Sequence, residues 1–398
     1  MLTPKAIADF VEANRDEAIR CLQELVRCPS VTGDEVPVSK VYTRWMEEAG
    51  FVVTKYEAEP NRPNLFAEWK GSRPGKRFVF NGHMDVFPPD EAGMPYGPWG
   101  AEIHDGKLYG RGASDMKGGD AIALMATIFL KRMGFDPKGS ILLSWMCDEE
   151  NGSRAGVIAD LKAGLIEGDF GICPEPSDGI IVHKHGGIIR GHVTYRATAQ
   201  HTGVPYRYGE NALTKAHRAV SELMKITERL SHVPGKGEIP PPCFTISVFH
   251  SGEAANVHPS VATFWFDRRL VPGEDHDAAY AEIVETLENL KKSREGYDYE
   301  LVVTNDRPLL DIDDDDPFIA LCQKSYEKVL GRPVAKGFGA GGSDAAWIQK
   351  VTGMPMPNFS PAPRMGPGGS GAADEYMPVD EYVDFIKAFM MIVHDALS

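Results

Sequence analysis

The sequence predicts an α/β protein: a split domain with a mostly parallel sheet covered by helices, interrupted by an inserted ferredoxin-like α+β domain. Two observations predict it. Up to residue 185, short apolar runs alternate with helical patterns, as expected of strands that pair in parallel through helical crossovers. From residue 188 the order changes to β-α-β-β-α-β. Helical patterns and glycine-rich loops resume near 317, and no internal repeat is visible, so the C-terminal part is expected to rejoin the first layer. The expected boundaries are residues 1–187 with 306–398 for the split domain, and 188–305 for the insert.

Each element has a local reason. Residues 5–27 read as one amphipathic helix, with Ile7, Phe10, Val11, Ala18, Ile19, Leu22 and Leu25 at helical spacing and Asn14 the gap in the stripe. A helix near 37–49 and an edge strand at 51–56 follow. Strands are expected at 64–69 and 77–81. The second carries Phe78-Val79-Phe80, a continuous apolar run suited to a sheet covered on both faces. Residues 117–132 read as a helix, 140–146 as a buried strand, 156–163 as a helix, and 170–173 and 179–183 as short strands. In the insert, strands are expected at 188–198, 243–250, 261–268 and 297–303, with helices at 212–230 and 275–293. Residues 305–316, with Pro308 and a run of Asp, read as the return linker. Helices at 317–331 and 378–396 close the chain, separated by loops at 337–342 and 355–371.

The length of 398 residues suits two or three domains at roughly 100–200 residues each. A 42% hydrophobic and 25% charged composition excludes disordered, collagen-like and coiled-coil classes. The net charge of −15 argues against nucleic acid or an anionic membrane as the main partner, yet leaves room for a small acidic substrate at a local basic cluster. Six cysteines without a CxxC pair predict a reduced, cytoplasmic chain. No N-terminal signal peptide is expected, and no apolar stretch approaches the ~20 residues of a membrane span.

Three strand ends carry polar groups foreign to a core: Asn81-Gly82-His83-Met84-Asp85, Cys147-Asp148-Glu149-Glu150-Asn151 and Pro174-Glu175-Pro176. Sites in open parallel sheets form beyond the carboxyl ends of strands. A fourth contributor is Gly110-Arg111-Gly112-Ala113-Ser114-Asp115, whose glycines allow a tight turn before a helix. Taken singly each reads blandly: a lone histidine before a turn as structural, an acidic run as a solvated face, Asp115 as a helix cap. Together they place several carboxylates and one imidazole at one sheet edge, where a divalent cation is needed to offset their repulsion. One His with several carboxylates suits Zn²⁺, Mn²⁺ or Co²⁺. Asp85 is expected to orient His83 with its carboxylate. Glu149 and Glu150 suggest one proton carrier and one ligand. Cys147 reads as a buried strand-end cysteine rather than a nucleophile, and the glycines before Gly341-Gly342-Ser343-Asp344 lack the Lys-Ser/Thr of a phosphate loop.

Gly82-His83-Met84-Asp85-Val86, the stretch from Asp105 to Gly119, and Asp148-Glu149-Glu150 resemble the M20 metallopeptidase family. That family includes acetylornithine deacetylase, succinyl-diaminopimelate desuccinylase and carboxypeptidase G-type enzymes. The resemblance runs over nearly the whole chain. It implies a metal-dependent hydrolase that cleaves an amide-type C–N bond of a small, carboxylate-bearing substrate by metal-activated water. His83, Asp115 and Glu175 match the ligands of one metal, with Asp115 bridging to a second and Glu150 a ligand of that second ion. Glu149 matches the general base. The insert resembles the lid and dimerisation domain. His201, in His201-Thr202-Gly203, matches the lid residue that polarises the scissile carbonyl in the partner's site. Asn256 and Arg269 match substrate contacts, as do Gly342 and Ser343 in their loop. Zinc is the first expectation, manganese or cobalt the alternatives, with one or two ions per chain and a homodimer through the insert.

The sequence departs from the family chiefly at its last metal ligand. The last family ligand is a histidine four or five residues before the Glu of Asp374-Glu375-Tyr376, and that slot falls on Gly371 or Ser370. The alternatives are a single-metal centre, replacement by Ser370, Asp374 or water, an inactivated or engineered binding relative, or a mononuclear hydrolase or deaminase of a non-peptide substrate. The stretch at 205–211 is also one residue longer than the usual lid turn.

Overall fold

The computed structural model describes residues 2–203 and 209–398. The chain forms two compact units, Met1–Lys184 with Ile312–Ser398, and His185–Asp311.

The first unit is built on a five-stranded sheet in the order Val53–Glu57, Pro63–Lys70, Lys138–Met146, Arg73–His83, Phe170–Ile172. The last three strands run parallel, and the first two form an antiparallel edge. Phe78, Phe80 and Trp145 share one face of the sheet, because parallel register pairs Phe80 with Leu143 and Gly82 with Trp145. Helices cover that face with aromatic side chains: Tyr42 against Trp145, Phe318 against Phe78 and Phe389 against Phe80. The helix Lys117–Arg132 is buried from Lys117 to Leu130, so its sequence is apolar on nearly all sides.

The N-terminal stretch differs from expectation. It forms two helices, Pro4–Ala13 and Arg15–Arg27, rather than one. Asn14 turns its side-chain amide back to the Phe10 carbonyl at 2.8 Å, a local bond that competes with helix continuation. A helix at Ala345–Thr352 and a three-stranded sheet of Tyr376–Pro378, Lys107–Tyr109 and Glu102–His104 were not expected from the sequence.

The second unit carries a four-stranded antiparallel sheet in the order Cys243–Ser251, Val261–Leu270, Gly187–Arg196, Tyr299–Arg307. With the helices Ala212–Leu230 and His276–Ser293 it has the ferredoxin-like order. Its core joins Val193, Leu223, Phe244, Phe264, Phe266 and Leu287. No helix among the described residues is long and apolar enough to cross a membrane. All six cysteines are free.

Candidate metal centre

The parallel register makes the site. His83 is paired with Met146, so the strands Arg73–His83 and Lys138–Met146 end level, and the chain leaving Met146 reaches Glu149 within three residues. The strand Phe170–Ile172 ends beside them and leads to Glu175. Asp115 lies just before the helix Lys117–Arg132. Gly119, in that helix's first turn, allows the close approach that brings the two segments together. A Cβ there would lie 1.8 Å from the Pro174 carbonyl oxygen, so no larger residue fits.

His83, Asp115 and Glu175 each place one ligand atom within 4.8 Å of the others. His83 Nε2 lies 3.1 Å from Asp115 Oδ1 and 3.6 Å from Glu175 Oε1. Its Nδ1 is 2.8 Å from the Asp85 main-chain carbonyl, which only accepts, so Nδ1 carries the proton and Nε2 faces the carboxylates. Burial opposes charge on this imidazole. The hydrogen bond to Asp115 and the charges of Glu175 and Glu149 outweigh it and raise the His83 pKa. A divalent ion would replace that proton among the same groups.

Asp85 acts differently from expectation. Its carbonyl makes the hydrogen bond to the imidazole, with the carboxylate Oδ1 3.6 Å from the same Nδ1. The buried carboxylate accepts hydrogen bonds from the Thr32 hydroxyl at 2.8 Å and from the main-chain N–H of Glu149 and Glu150 at 3.1 and 3.3 Å. It therefore fixes the short 3₁₀ turn Glu149–Asn151. Burial pushes the Asp85 carboxyl up to about 6. Asp148 begins this turn in the left-handed region, at φ 70°, held by Arg62 at 3.0 Å and by the Ala155 N–H at 3.0 Å. Glu149 is buried. Glu150 lies outside the three-residue group, and its Oε1 is buried with no hydrogen-bond partner. Burial, followed by the charge of Asp115, raises the Glu150 pKa.

The residue the sequence reading passed over is Glu375. Its Oε1 accepts three main-chain N–H groups, from Gly112 at 2.9 Å and from Ser114 and Asp115 at 3.0 Å. Its Oε2 pairs with buried Arg111. The pairing of Tyr376–Pro378 with Lys107–Tyr109, and the Gly110 N–H to the Glu375 carbonyl at 3.1 Å, set this register. The Asp-Glu-Tyr motif was the available signal, but the partners of its Glu are main-chain groups that no side-chain pattern reveals.

Of the groups weighed for the missing histidine, Ser370 is the one at the centre: its hydroxyl donates to Asp115 Oδ2. Asp374 instead accepts the Gly368 N–H at 2.8 Å, closing its own loop. Ser343 is buried, and its hydroxyl donates to Asn358 at 2.8 Å, which leaves the exposed Gly342 as the accessible part of that loop. Cys147 is buried, and burial pushes its thiol up, which removes it as a nucleophile.

In the second unit, His201 is exposed on the strand Gln200–His201, paired with Val257. The Gly203 N–H donates to its Nδ1 at 3.0 Å, and Thr202 N–H donates to the Asn256 carbonyl at 3.0 Å, so His201 and Asn256 share one ribbon. Arg269 is exposed on its strand and donates to Asp267 at 2.7 Å. The longer lid turn falls partly on residues 204–208, outside the described residues.

One imidazole with an outward Nε2 and two facing carboxylates fit a divalent metal ion. Fold and donor set together define a metallohydrolase. The model of peptidase family M20/M25/M40 matches residues 79–395, and the chain belongs to that family. It is a metal-dependent hydrolase of an amide-type C–N bond in a small substrate. The chain is 30% identical over 347 residues to a succinyl-diaminopimelate desuccinylase of Methylobacterium radiotolerans, covering 84% of this chain and 86% of that one. Its fold is similar to that of an M20 family metallo-carboxypeptidase from Sulfolobus solfataricus, with a TM-score of 0.72, 19% identity, and 95% and 98% of the two chains covered. A dinuclear metal-binding peptidase of the M20 family from Bacillus subtilis matches with a TM-score of 0.66, 17% identity, and 97% and 99% covered.

Proposed function

We propose that this protein removes the acyl group from a small N-acylated amino acid or peptide-like substrate that carries a carboxylate. The convergence of His83, Asp115 and Glu175 within 4.8 Å carries the reading. These three residues would hold the ion, with zinc the first choice and manganese or cobalt accepted by the same donors. The ion supplies Lewis acidity toward water and a carbonyl oxygen. Glu149, fixed by the grip of Asp85 on its N–H, takes the proton of the attacking water and passes it to the leaving nitrogen. In the bond change, water oxygen joins the acyl carbon, the C–N bond breaks, and the amine departs with the transferred proton. Arg269, Asn256 and the main chain at Gly342 are assigned to the substrate. His201 is assigned to polarise the scissile carbonyl in a second copy's site.

The insert is assigned the lid and homodimer roles. Exposed Val248 and Phe249 on its sheet-edge strand support an apolar contact. Sedimentation at micromolar concentration tests this: a dimer is expected, and a monomer would reject the assignment. For activity, the test is a panel of N-acyl amino acids, dipeptides and aryl amines, each with zinc, manganese and cobalt. Metal-dependent release of an amine from an N-acyl amino acid is expected. Release from aryl amines alone would reject the substrate class, and no turnover with any metal would reject the catalytic reading.

A further inference from the structure

We infer that this centre holds a single metal ion, and that Ser370 is the residue that keeps a second one out. The inference rests on the reading that His83, Asp115 and Glu175 bind the first ion. Its own support is the other half of Asp115. A carboxylate that bridges two ions gives one oxygen to each. Here Oδ1 lies 3.1 Å from His83 Nε2, while Oδ2 accepts the Ser370 hydroxyl. The Ser370 main-chain N–H donates to the Arg364 carbonyl at 3.0 Å, which ties the residue's backbone to the loop before it. A neutral serine hydroxyl on Oδ2 competes with a cation there and supplies no charge in return.

The donor count agrees. A second ion needs about three or four protein ligands if it is to be retained. Among the described residues, His83, Asp115 and Glu175 are the one group of three His, Cys, Asp or Glu side chains close enough to hold an ion. Of the remaining carboxylates, Asp85 is taken up by the N–H groups of the Glu149 turn and Glu149 is assigned to the proton, which leaves Glu150. Its buried Oε1 has no hydrogen-bond partner, and with a capped Asp115 oxygen it offers too few donors. Glu150 is therefore a lone buried carboxyl facing the site, one donor where a second ion needs several. The same fold accommodates a dinuclear centre in the Bacillus subtilis peptidase, so the difference lies in local side chains and not in the architecture.

Counting metal tests this without reference to turnover. The full-length protein is stripped with chelator, reloaded with excess zinc alone, desalted, and analysed for zinc per chain by mass spectrometry, with a calorimetric titration alongside. About one ion per chain is expected, and the same count in Glu150→Gln, because neither Ser370 nor Glu150 ligates a second. Ser370→His puts an imidazole beside Asp115 Oδ2, and its count is expected to rise to two. Two ions in the unmodified protein, or a lower count in Glu150→Gln, overturn the inference. A folded Ser370→His that still holds one ion overturns the role given to Ser370. If Ser370→His does not fold, the counts of the unmodified protein and Glu150→Gln decide. An unmodified protein that binds none rejects the metal reading itself, a result distinct from a count of two.

Discussion

Replacing Glu375 by glutamine tests how Asp115 is held. The carboxylate is fully buried, accepts the N–H groups of Gly112, Ser114 and Asp115, and pairs with Arg111, itself 2% exposed. Burial pushes the Glu375 carboxyl up to about 7 against the pull of Arg111, so the comparison belongs at pH 8, where the pair is ionised. Glutamine keeps a carbonyl oxygen for the three N–H groups but turns an NH₂ toward the Arg111 guanidinium. A buried charge that loses its partner costs about 3–5 kcal/mol. Against a total of about 5–15 kcal/mol, the variant remains folded but visibly weakened. The loosened loop carries Asp115, so metal affinity should fall by about 10–100-fold. Urea unfolding of the metal-free protein gives the first quantity and a zinc titration the second. A stability change under about 1 kcal/mol together with unchanged zinc affinity would refute the reasoning.

Glu149→Gln should lower kcat by about 10²–10⁴-fold while metal content stays constant, and normal turnover by that variant removes Glu149 as the proton carrier. Chelation should abolish turnover, and zinc at a hundredfold excess over its Kd should restore about 2.7 kcal/mol of stability; thermal unfolding that ignores zinc speaks against a built site. Asp120 gives a pH signature in the metal-free protein. Burial pushes its carboxyl from 3.8 up to about 8, so the folded state keeps a proton that the unfolded chain releases. The stability it contributes is present below pH 4 and lost as pH rises toward 8. Asp120→Asn retains an acceptor for the Tyr42 hydroxyl, 2.6 Å from Asp120 Oδ2, and removes that loss. Its stability relative to the unmodified protein should climb by a few kcal/mol, on the order of 1.4 per pH unit, between pH 4 and 8. Parallel stability curves for the two proteins would count against a protonated Asp120.

Long periodic segments were readable before any coordinates. The helices Lys117–Arg132 and Ala212–Leu230 have the bounds their apolar patterns predict, because more than four helical turns average out single exceptions. Ala345–Thr352 was missed because eight residues between glycine loops hold too few turns to show a period. The three-residue strands Glu102–His104, Lys107–Tyr109 and Tyr376–Pro378 carry no alternation to detect. Within the site, His83 and Glu175 were legible because polar groups after buried apolar runs stand out against a core, and Asp115 because a glycine-rich turn precedes its helix. The grip of Asp85 on the Glu149 turn, and of Glu375 on the Asp115 loop, was not. Both act on main-chain N–H groups, which every residue but proline carries and which only the folded register selects.

The most direct test is diffraction from zinc-loaded crystals at the zinc absorption edge. The account predicts an anomalous peak about 2.0–2.2 Å from His83 Nε2 and from one oxygen each of Asp115 and Glu175, with His83 Nδ1 still on the Asp85 carbonyl. A map with no peak among these three side chains, in crystals whose solution counterpart retains zinc, would contradict it.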